Sequence, residues 1–184
     1  MPPFPSLALG GSRSLSASPV VVQFIRHALA DCSAFSVGCC VGADALCLSF
    51  LLPVAPPSFL SVFAAFGPGG AGSCSLSAVS VVASAASAGV PVRWWSGGGP
   101  LVPLAARLAQ RSQAVVLSAA ALVLFSPGAG SLAVGAFAVS SGRPVFVFAP
   151  AAPTPLPGLG GVWAVTSLCG LSCWRWQAAQ LSLF

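Results

Sequence analysis

Residues 121–149 read ALVLFSPGAGSLAVGAFAVSSGRPVFVFA, and this stretch decides the fold class. It contains two short apolar runs, 121–125 and 144–149, separated by a Gly-rich turn and a segment of helical length. A short apolar run bounded by turn residues is typical of a strand that is buried on both faces of a parallel sheet. The stretch therefore predicts a strand, a Gly-rich loop, a helix over 130–141 and a second strand.

The same alternation continues towards the N-terminus. Further strands are predicted at 6–11, 35–40, 59–66 and 90–95, and further helices at 19–31, 43–52, 75–88 and 103–118. Strands that alternate with helices imply right-handed βαβ units and a sheet with helices on both faces. We predict one α/β domain with a doubly wound parallel sheet over residues 1–150. A Pro/Gly linker and a Trp-rich C-terminal extension over residues 151–184 should add an edge strand or cover the end of the sheet.

The composition limits the chemistry that the chain can perform. Of the 184 residues 57% are hydrophobic and 5% are charged, and the sequence contains no Lys, Glu, Asn or Tyr. All seven basic residues are Arg, the two acids are Asp31 and Asp44, and the single histidine is His27. These absences exclude a Schiff-base lysine, a Glu general base and a carboxylate cluster for a hard metal ion. We expect no metal site, and no cofactor other than a nucleotide-type ligand.

An apolar chain of this kind raises the question of membrane spans. A spanning helix needs about 20 consecutive apolar residues, and Pro53, Pro56 and Pro57 interrupt one long apolar segment while Gly-rich turns interrupt the others. The first residues lack the basic group of a signal peptide and include three prolines. We therefore expect a cytoplasmic protein without membrane association, whose seven cysteines are mostly buried thiols.

Four Gly-rich loops follow predicted strands, at 10–13, 38–44, 67–72 and 127–131. In an open parallel sheet, ligands bind at the carboxyl ends of strands, where the strand order reverses. Glycine lets the backbone approach a ligand closely, and the helix N-terminus after each loop offers free N–H groups to phosphate. The loops predict a site for a phosphate-bearing ligand, although none of them is a Walker A loop or a clean G-x-G-x-x-G motif.

The motifs GGSR at 10–13, VGCCVGAD at 37–44, RLAQRS at 107–112 and FSPGAGSLAVGAFAVSSGRPVFVF at 125–148 occur in this order. Together they resemble the SLOG superfamily, which includes the DNA-processing protein DprA and the LOG phosphoribohydrolases. The resemblance covers roughly residues 6–149 and implies a Rossmann-like nucleotide-binding domain.

The resemblance also implies roles for particular residues. Gly11, Ser12 and Arg13 would line the nucleotide pocket, and Gly128, Gly130 and Ser131 would cradle a phosphate. Asp44, after Gly42 in the second loop, would organise the loops or meet a ribose hydroxyl. LOG enzymes carry a Glu in the signature PGGxGTxxE, and Val134 occupies the corresponding position here. The resemblance therefore favours ligand binding over LOG-type hydrolysis.

Several of these residues also have other interpretations. Asp44 could instead cap the helix that follows it. Arg107 and Arg111 lie four residues apart on one predicted helix face, where they would either share an anion or face solvent. Trp94 and Trp95 would either stack on a base or pack internally.

The main hypothesis is a sensor or carrier of a nucleotide or nucleotide-derived small molecule. The alternatives are a nucleotide-processing hydrolase that uses Asp44 and the Arg residues, and a DprA-like single-stranded DNA binder. The scarcity of basic residues disfavours nucleic acid as the partner. A surface poor in charge also predicts a homo-oligomer, because exposed apolar patches mark interfaces.

Overall fold

The computed structural model describes residues 4–73 and 75–179. Within these residues the chain forms β1 (Ser6–Gly11), α1 (Pro19–Asp31), β2 (Ala34–Val37), α2 (Ala43–Leu51), β3 (Leu60–Phe63), α3 (Leu76–Ser87), β4 (Val92–Arg93), α4 (Leu104–Leu117), β5 (Ala121–Phe125), α5 (Ala129–Ser140), β6 (Val145–Phe148), β7 (Gly161–Leu168) and β8 (Leu171–Ala178). The predicted alternation of strands and helices is confirmed.

The strands form one sheet in the order β4-β3-β2-β1-β5-β6-β8-β7. The six strands from β1 to β6 are parallel, and β8 pairs antiparallel with β6 and with β7. The predicted α/β class with a doubly wound, Rossmann-like sheet is confirmed. The C-terminal extension contributes a hairpin that joins the sheet beside β6.

Helices cover both faces of the sheet. Side chains of β5 alternate between the two faces, so that Val123 and Phe125 pack in one core while Leu122 and Leu124 pack in the other. α1, α2 and α3 contact one another in sequence, and α4 contacts α5. All five residues of β5 are buried, as expected for a strand between two helical layers.

Two strands fall furthest short of their predicted lengths: the run 59–66 forms β3 over Leu60–Phe63 only, and the run 90–95 shortens by the same number of residues. Residues 90–95 were expected to form a strand, but β4 consists of Val92 and Arg93 only. Trp95 adopts a φ of 54° and its N–H donates to the Phe66 carbonyl, so the chain turns away from the ladder. The apolar run ends in a turn that holds two aromatic side chains against the domain.

The topology places a crevice beside β1. The chain runs outward from β1 through β2 and β3 to β4, and then returns to add β5 on the opposite side of β1. The loops that leave β1 and β5 therefore diverge to opposite faces at neighbouring strand ends, which is the usual ligand position in such sheets.

No helix in residues 4–73 and 75–179 combines the length and apolarity required to cross a membrane.

Candidate functional site

A cavity of about 740 Å³ opens at the carboxyl ends of β1 and β5. Its rim is formed by residues from three of the predicted Gly-rich loops: Gly10, Gly11, Ser12, Arg13, Cys40, Asp44, Gly128, Gly130 and Ser131. The cavity lies at the point where the strand order reverses, as the sequence predicted for a ligand site.

The inner wall of the cavity is apolar. α4 contributes Leu108, Val115 and Val116, β5 contributes Leu122 and Leu124, and α5 contributes Val134 and Phe137. The site therefore combines a polar rim of backbone amides, hydroxyls and one exposed guanidinium with walls that suit an uncharged group.

The loop after β1 is fixed by contacts with the end of β5. Gly11 has a φ of 152°, and a Cβ at this position would collide with the backbone of Phe125. The Ser12 N–H donates to the Phe125 carbonyl at 3.0 Å. Arg13 follows this anchored turn, is exposed, and makes no hydrogen bond or ion pair with any described residue. Its guanidinium is thus available at the rim.

The start of α5 forms the opposite part of the rim. Gly128 is the N-cap residue, has no side chain to bond the helix, and is followed by three N–H groups that lack an intrahelical acceptor. The Ser131 hydroxyl donates to the Gly11 carbonyl at 2.7 Å, which joins this turn to the loop after β1. A Cβ added at Gly128 or Gly130 would meet no atom of the described chain within 4 Å.

An ion pair closes the cavity on the side of β2. Arg111 on α4 and Asp44 on α2 are both buried, and Nη1 lies 3.2 Å from Oδ2. Asp44 Oδ2 also accepts the Cys40 N–H at 3.1 Å, while Arg111 Nη2 donates to Cys40 Sγ at 2.8 Å. The bridge joins the helical layers on the two faces of the sheet and holds the loop after β2.

The arginine crosses the edge of the sheet at Gly38. A Cβ on Gly38 would overlap Arg111 Nη1 and Asp44 Oδ2. Glycine is therefore required there by the side chain that passes over it.

Asp44 organises this loop and does not cap the helix. The N-cap residue of α2 is Gly42, and the Asp44 carboxylate accepts an N–H that precedes the helix. Burial raises the pKa of Asp44, while the positive charge of Arg111 opposes the rise. Burial likewise raises the pKa of the Cys40 thiol. Removing Arg111 would therefore leave the buried Asp44 carboxyl without the positive charge that stabilises it, which would lower the stability of the folded state.

Gly42 supports the loop after β1. It has a φ of 80°, and a Cβ there would collide with the backbone of Ser12 and Arg13. The Ala43 N–H donates to the Ser12 carbonyl at 2.9 Å. Gly42 does not line the cavity, but it allows α2 to begin directly beside the segment that carries Arg13.

The structure does not bring Arg107 to the cavity. Its guanidinium is buried and donates to the carbonyls of Ala65 at 2.7 Å and Gly72 at 3.0 Å. It also lies 5.2 Å from the centre of the Trp95 ring. Arg107 and Arg111 are each 5% exposed and point to different partners, so they form neither a shared anion site nor a solvated face.

The Gly-rich loop at 67–72 and the pair Trp94 and Trp95 pack against each other inside the domain. Gly67 and Gly72 pack on the Trp95 ring, and Trp94 contacts Phe66 at a ring distance of 6.1 Å. None of these residues lines the cavity. The loop follows β3, two strands away from the crevice beside β1.

Sequence reasoning did not identify several residues of the site. Cys40 contacts Arg111, and its position inside GCCVGAD was a usable signal. The apolar wall had no local signal, because it depends on how α4 packs against α5.

The fold, together with the Gly-rich loops at the carboxyl ends of β1 and β5, defines the class: a Rossmann-like α/β domain with a crevice where the strand order reverses.

No family model matches the chain, and no curated protein matches it in sequence. Among solved structures, the chain is similar to DNA processing protein A from Helicobacter pylori, whose structure was described for its single-stranded DNA binding mode. The TM-score is 0.61 at 15% sequence identity, and the match covers 84% of this chain and 68% of that chain. This similarity supports a DprA-like fold.

Proposed function

We propose that this protein binds a phosphate-bearing nucleotide or nucleotide-derived small molecule in the cavity between the loop after β1 and the start of α5. The observation that carries the proposal is the open space at Gly128 and Gly130. Neither glycine has the left-handed φ that would demand it, and neither has a neighbouring atom that would exclude a methyl group. The fold does not require glycine at these positions, whereas close approach of a ligand to the backbone does.

The rim suits a phosphate group. The three N–H groups at the start of α5 carry the positive end of the helix dipole. Arg13 lines the same cavity and can add a charge-assisted, bidentate contact. The volume of about 740 Å³ lies within the range of small-molecule sites, and the apolar wall would contact an uncharged part of the ligand.

We propose binding without hydrolysis. The sequence contains no Glu, and Asp44 is the one carboxylate that the described residues bring to the cavity. Because Asp44 is occupied by Arg111 and the Cys40 N–H, it is poorly placed to act as a general base. The role that fits these groups is that of a sensor or carrier.

A second candidate is single-stranded DNA, which the similarity to the Helicobacter pylori protein favours. The two candidates differ in salt dependence, because each neutralised phosphate of a single strand contributes a slope of about −0.7 to log K against log salt. The cavity presents Arg13 as its exposed arginine, since Arg111 is buried in an ion pair. Binding of a mononucleotide predicts a slope of about −0.7, the value for one phosphate contact, whereas binding of a DNA strand predicts a slope several times as steep.

The first experiment is a thermal-shift screen with nucleoside monophosphates, dinucleotides and ADP-ribose. A compound at 100 times its Kd stabilises the folded state by roughly 2.7 kcal/mol, which raises the Tm by about 5–10 °C in a domain of this size. Arg13→Ala should weaken binding by about 10- to 100-fold, because a charge-assisted hydrogen bond contributes about 1.5–3 kcal/mol. Arg26→Ala, an exposed arginine on α1 outside the cavity, is the matched control. A folded protein that no phosphate-bearing compound stabilises would contradict the proposal.

Replacing Gly130 with alanine should separate stability from binding. Gly130 lies in the first turn of α5, so Gly130→Ala should raise the free energy of unfolding by up to about 1 kcal/mol. The added methyl group should at the same time weaken ligand binding at least about tenfold, by blocking the approach of phosphate to the N–H groups. Urea unfolding and ligand titration measure the two effects. Gly99→Ala, also at a position with open space, is the control for both, and unchanged affinity in Gly130→Ala would place the ligand elsewhere.

A further inference from the structure

The outer edge of β7 lies outside the ligand cavity. β7 pairs with β8 along its whole length, in an uninterrupted register that runs from Gly161 opposite Ala178 to Leu168 opposite Leu171. On its other side β7 pairs with no strand of the described chain. No residue of β7 lines the cavity, so this edge is separate from the proposed ligand site.

The hairpin turn determines which backbone groups of β7 face outward. Cys169 and Gly170 form a two-residue loop, with φ angles of 49° and 75° as in a type I′ turn. The pair that closes such a loop, here Leu168 and Leu171, is hydrogen-bonded, and hydrogen-bonded pairs alternate with non-hydrogen-bonded pairs along the two strands. Counting back from this pair, the odd-numbered residues of β7 turn their N–H and C=O groups away from β8.

The outward groups in the middle of the edge are those of Trp163, Val165 and Ser167. Within the described residues, no group bonds to their backbone N–H or C=O on this side. β7 has eight residues, and at about 3.4 Å per residue the edge is about 27 Å long. A row of unpaired backbone groups of this length is a template for a further strand.

The distribution of charge favours a second copy of this chain as that strand. A two-fold axis brings identical residues of two copies close together, so a charged edge would repel its own copy. β7 carries no charged residue, and the one charged residue of β8 is Arg175. The Arg175 guanidinium lies 5.0–6.0 Å class distance from an aromatic ring on β6, at 5.7 Å from the centre of Phe146, and so is turned away from the edge. A charged strand would find no opposite charge here.

We propose that the protein forms a two-fold homodimer in which β7 pairs antiparallel with β7 of a second copy and joins the two sheets. The axis stands perpendicular to the sheet, so every side chain keeps its face and odd-numbered residues lie opposite odd-numbered residues. A register centred on Val165 would form about six backbone hydrogen bonds between the copies. The pairing occupies β7 of both copies, so the assembly closes at two.

The pairing reverses the strand direction from one copy to the other. The carboxyl ends of β1 and β5 in the two copies then face in opposite directions, so the two ligand cavities open at opposite ends of the joined sheet. Neither copy contributes a residue to the cavity of the other. Dimerisation and ligand binding can therefore be tested independently, and the failure of one leaves the other standing.

Sedimentation velocity between about 2 and about 200 µM tests the dimer, because one strand pair is a small interface that should dissociate in the micromolar range. The wild-type protein should move from the 18.2 kDa of one chain towards twice that mass. Val165→Lys places like charges close together across the axis and should weaken dimerisation at least about tenfold. Val54→Lys adds the same charge at a similarly exposed valine after α2 and is the matched control.

Hydrogen exchange followed by NMR distinguishes backbone pairing from contact between side chains. At a concentration where the wild type is dimeric, the amides of Trp163 and Ser167 should exchange about tenfold more slowly than in Val165→Lys. The amides of Ala164 and Thr166, which face β8, should exchange equally in both proteins. If Val165→Lys lowers the Tm, Val165→Pro replaces it, since proline there removes an outward N–H and leaves the ladder to β8 intact.

Three results would overturn the proposal. The first is a folded wild-type protein that stays monomeric over the whole concentration range. The second is a dimer that Val165→Lys and Val165→Pro leave unchanged, because it would use another surface. The third is a species that continues to grow beyond two copies, which a closed two-fold pairing does not allow.

Discussion

Gly38→Ala is expected to lower the free energy of unfolding by about 3–5 kcal/mol, the range for breaking a buried ion pair. The added methyl group would occupy the space of the Arg111 guanidinium and the Asp44 carboxylate. Arg111 could leave only by giving up Asp44 and Cys40, both of which it contacts in the buried bridge. Urea unfolding monitored by tryptophan fluorescence measures the loss.

Gly128→Ala is the matched control for this experiment, because the same methyl group meets open space there. Adding Gly38→Ala to a variant that already lacks Arg111 should cost much less than adding it to the wild type. Equal midpoints for Gly38→Ala and Gly128→Ala would show that the guanidinium does not pass over Gly38.

Asp44→Ala is expected to destabilise the protein by about 3–5 kcal/mol, and by more than Arg111→Met does. Arginine keeps its charge in proteins, so the first variant leaves a buried cation with Cys40 Sγ as its remaining partner. The second variant leaves a carboxyl whose pKa burial already raises, and this group can take up a proton. Urea unfolding of both variants at neutral pH gives the order, and a larger loss in Arg111→Met would contradict it.

The pH dependence of Arg111→Met provides a further check on this prediction. Without Arg111, the pKa of Asp44 in the folded state lies above its unfolded value of about 3.9. The folded state then binds the proton more tightly, so stability is greatest below that value and falls as the pH rises through the folded pKa. Unfolding of Arg111→Met should show this decline between about pH 4 and neutrality. A stability that instead increases with pH over this range would contradict the assignment.

The sequence was most informative about the sheet because burial on both faces leaves a local pattern. The apolar run 121–125 forms β5 with the predicted bounds, and α1 begins at Pro19 and ends at Asp31 as predicted. The run 90–95 looked equally strand-like, yet only Val92 and Arg93 pair with β3. Nothing local distinguishes these cases, since Trp95 leaves the ladder for a distant arginine on α4.

The candidate site was predictable where backbone geometry defines it. Gly11, Ser12 and Arg13, together with the glycines before α5, were identified from their loops, and the structure places them around one cavity. The partners of the buried arginines were not predictable. Arg107 and Arg111 lie four residues apart in one helix, but their guanidinium groups find partners in loops far away in sequence.

The two edge strands of the sheet, β4 and β7, differ in their capacity to pair with a strand of another chain. At one end β4 contributes two residues, too few to template a neighbouring strand. At the other end β7 contributes eight residues and pairs with β8 alone among the described strands. Its sequence, GVWAVTSL, contains neither proline nor charge, the features that usually protect exposed edges. Val162 and Val165 are 63% and 67% exposed. A strand from another chain can therefore add to the sheet at β7 and not at β4. Val165→Lys would block this pairing at a position that does not line the cavity.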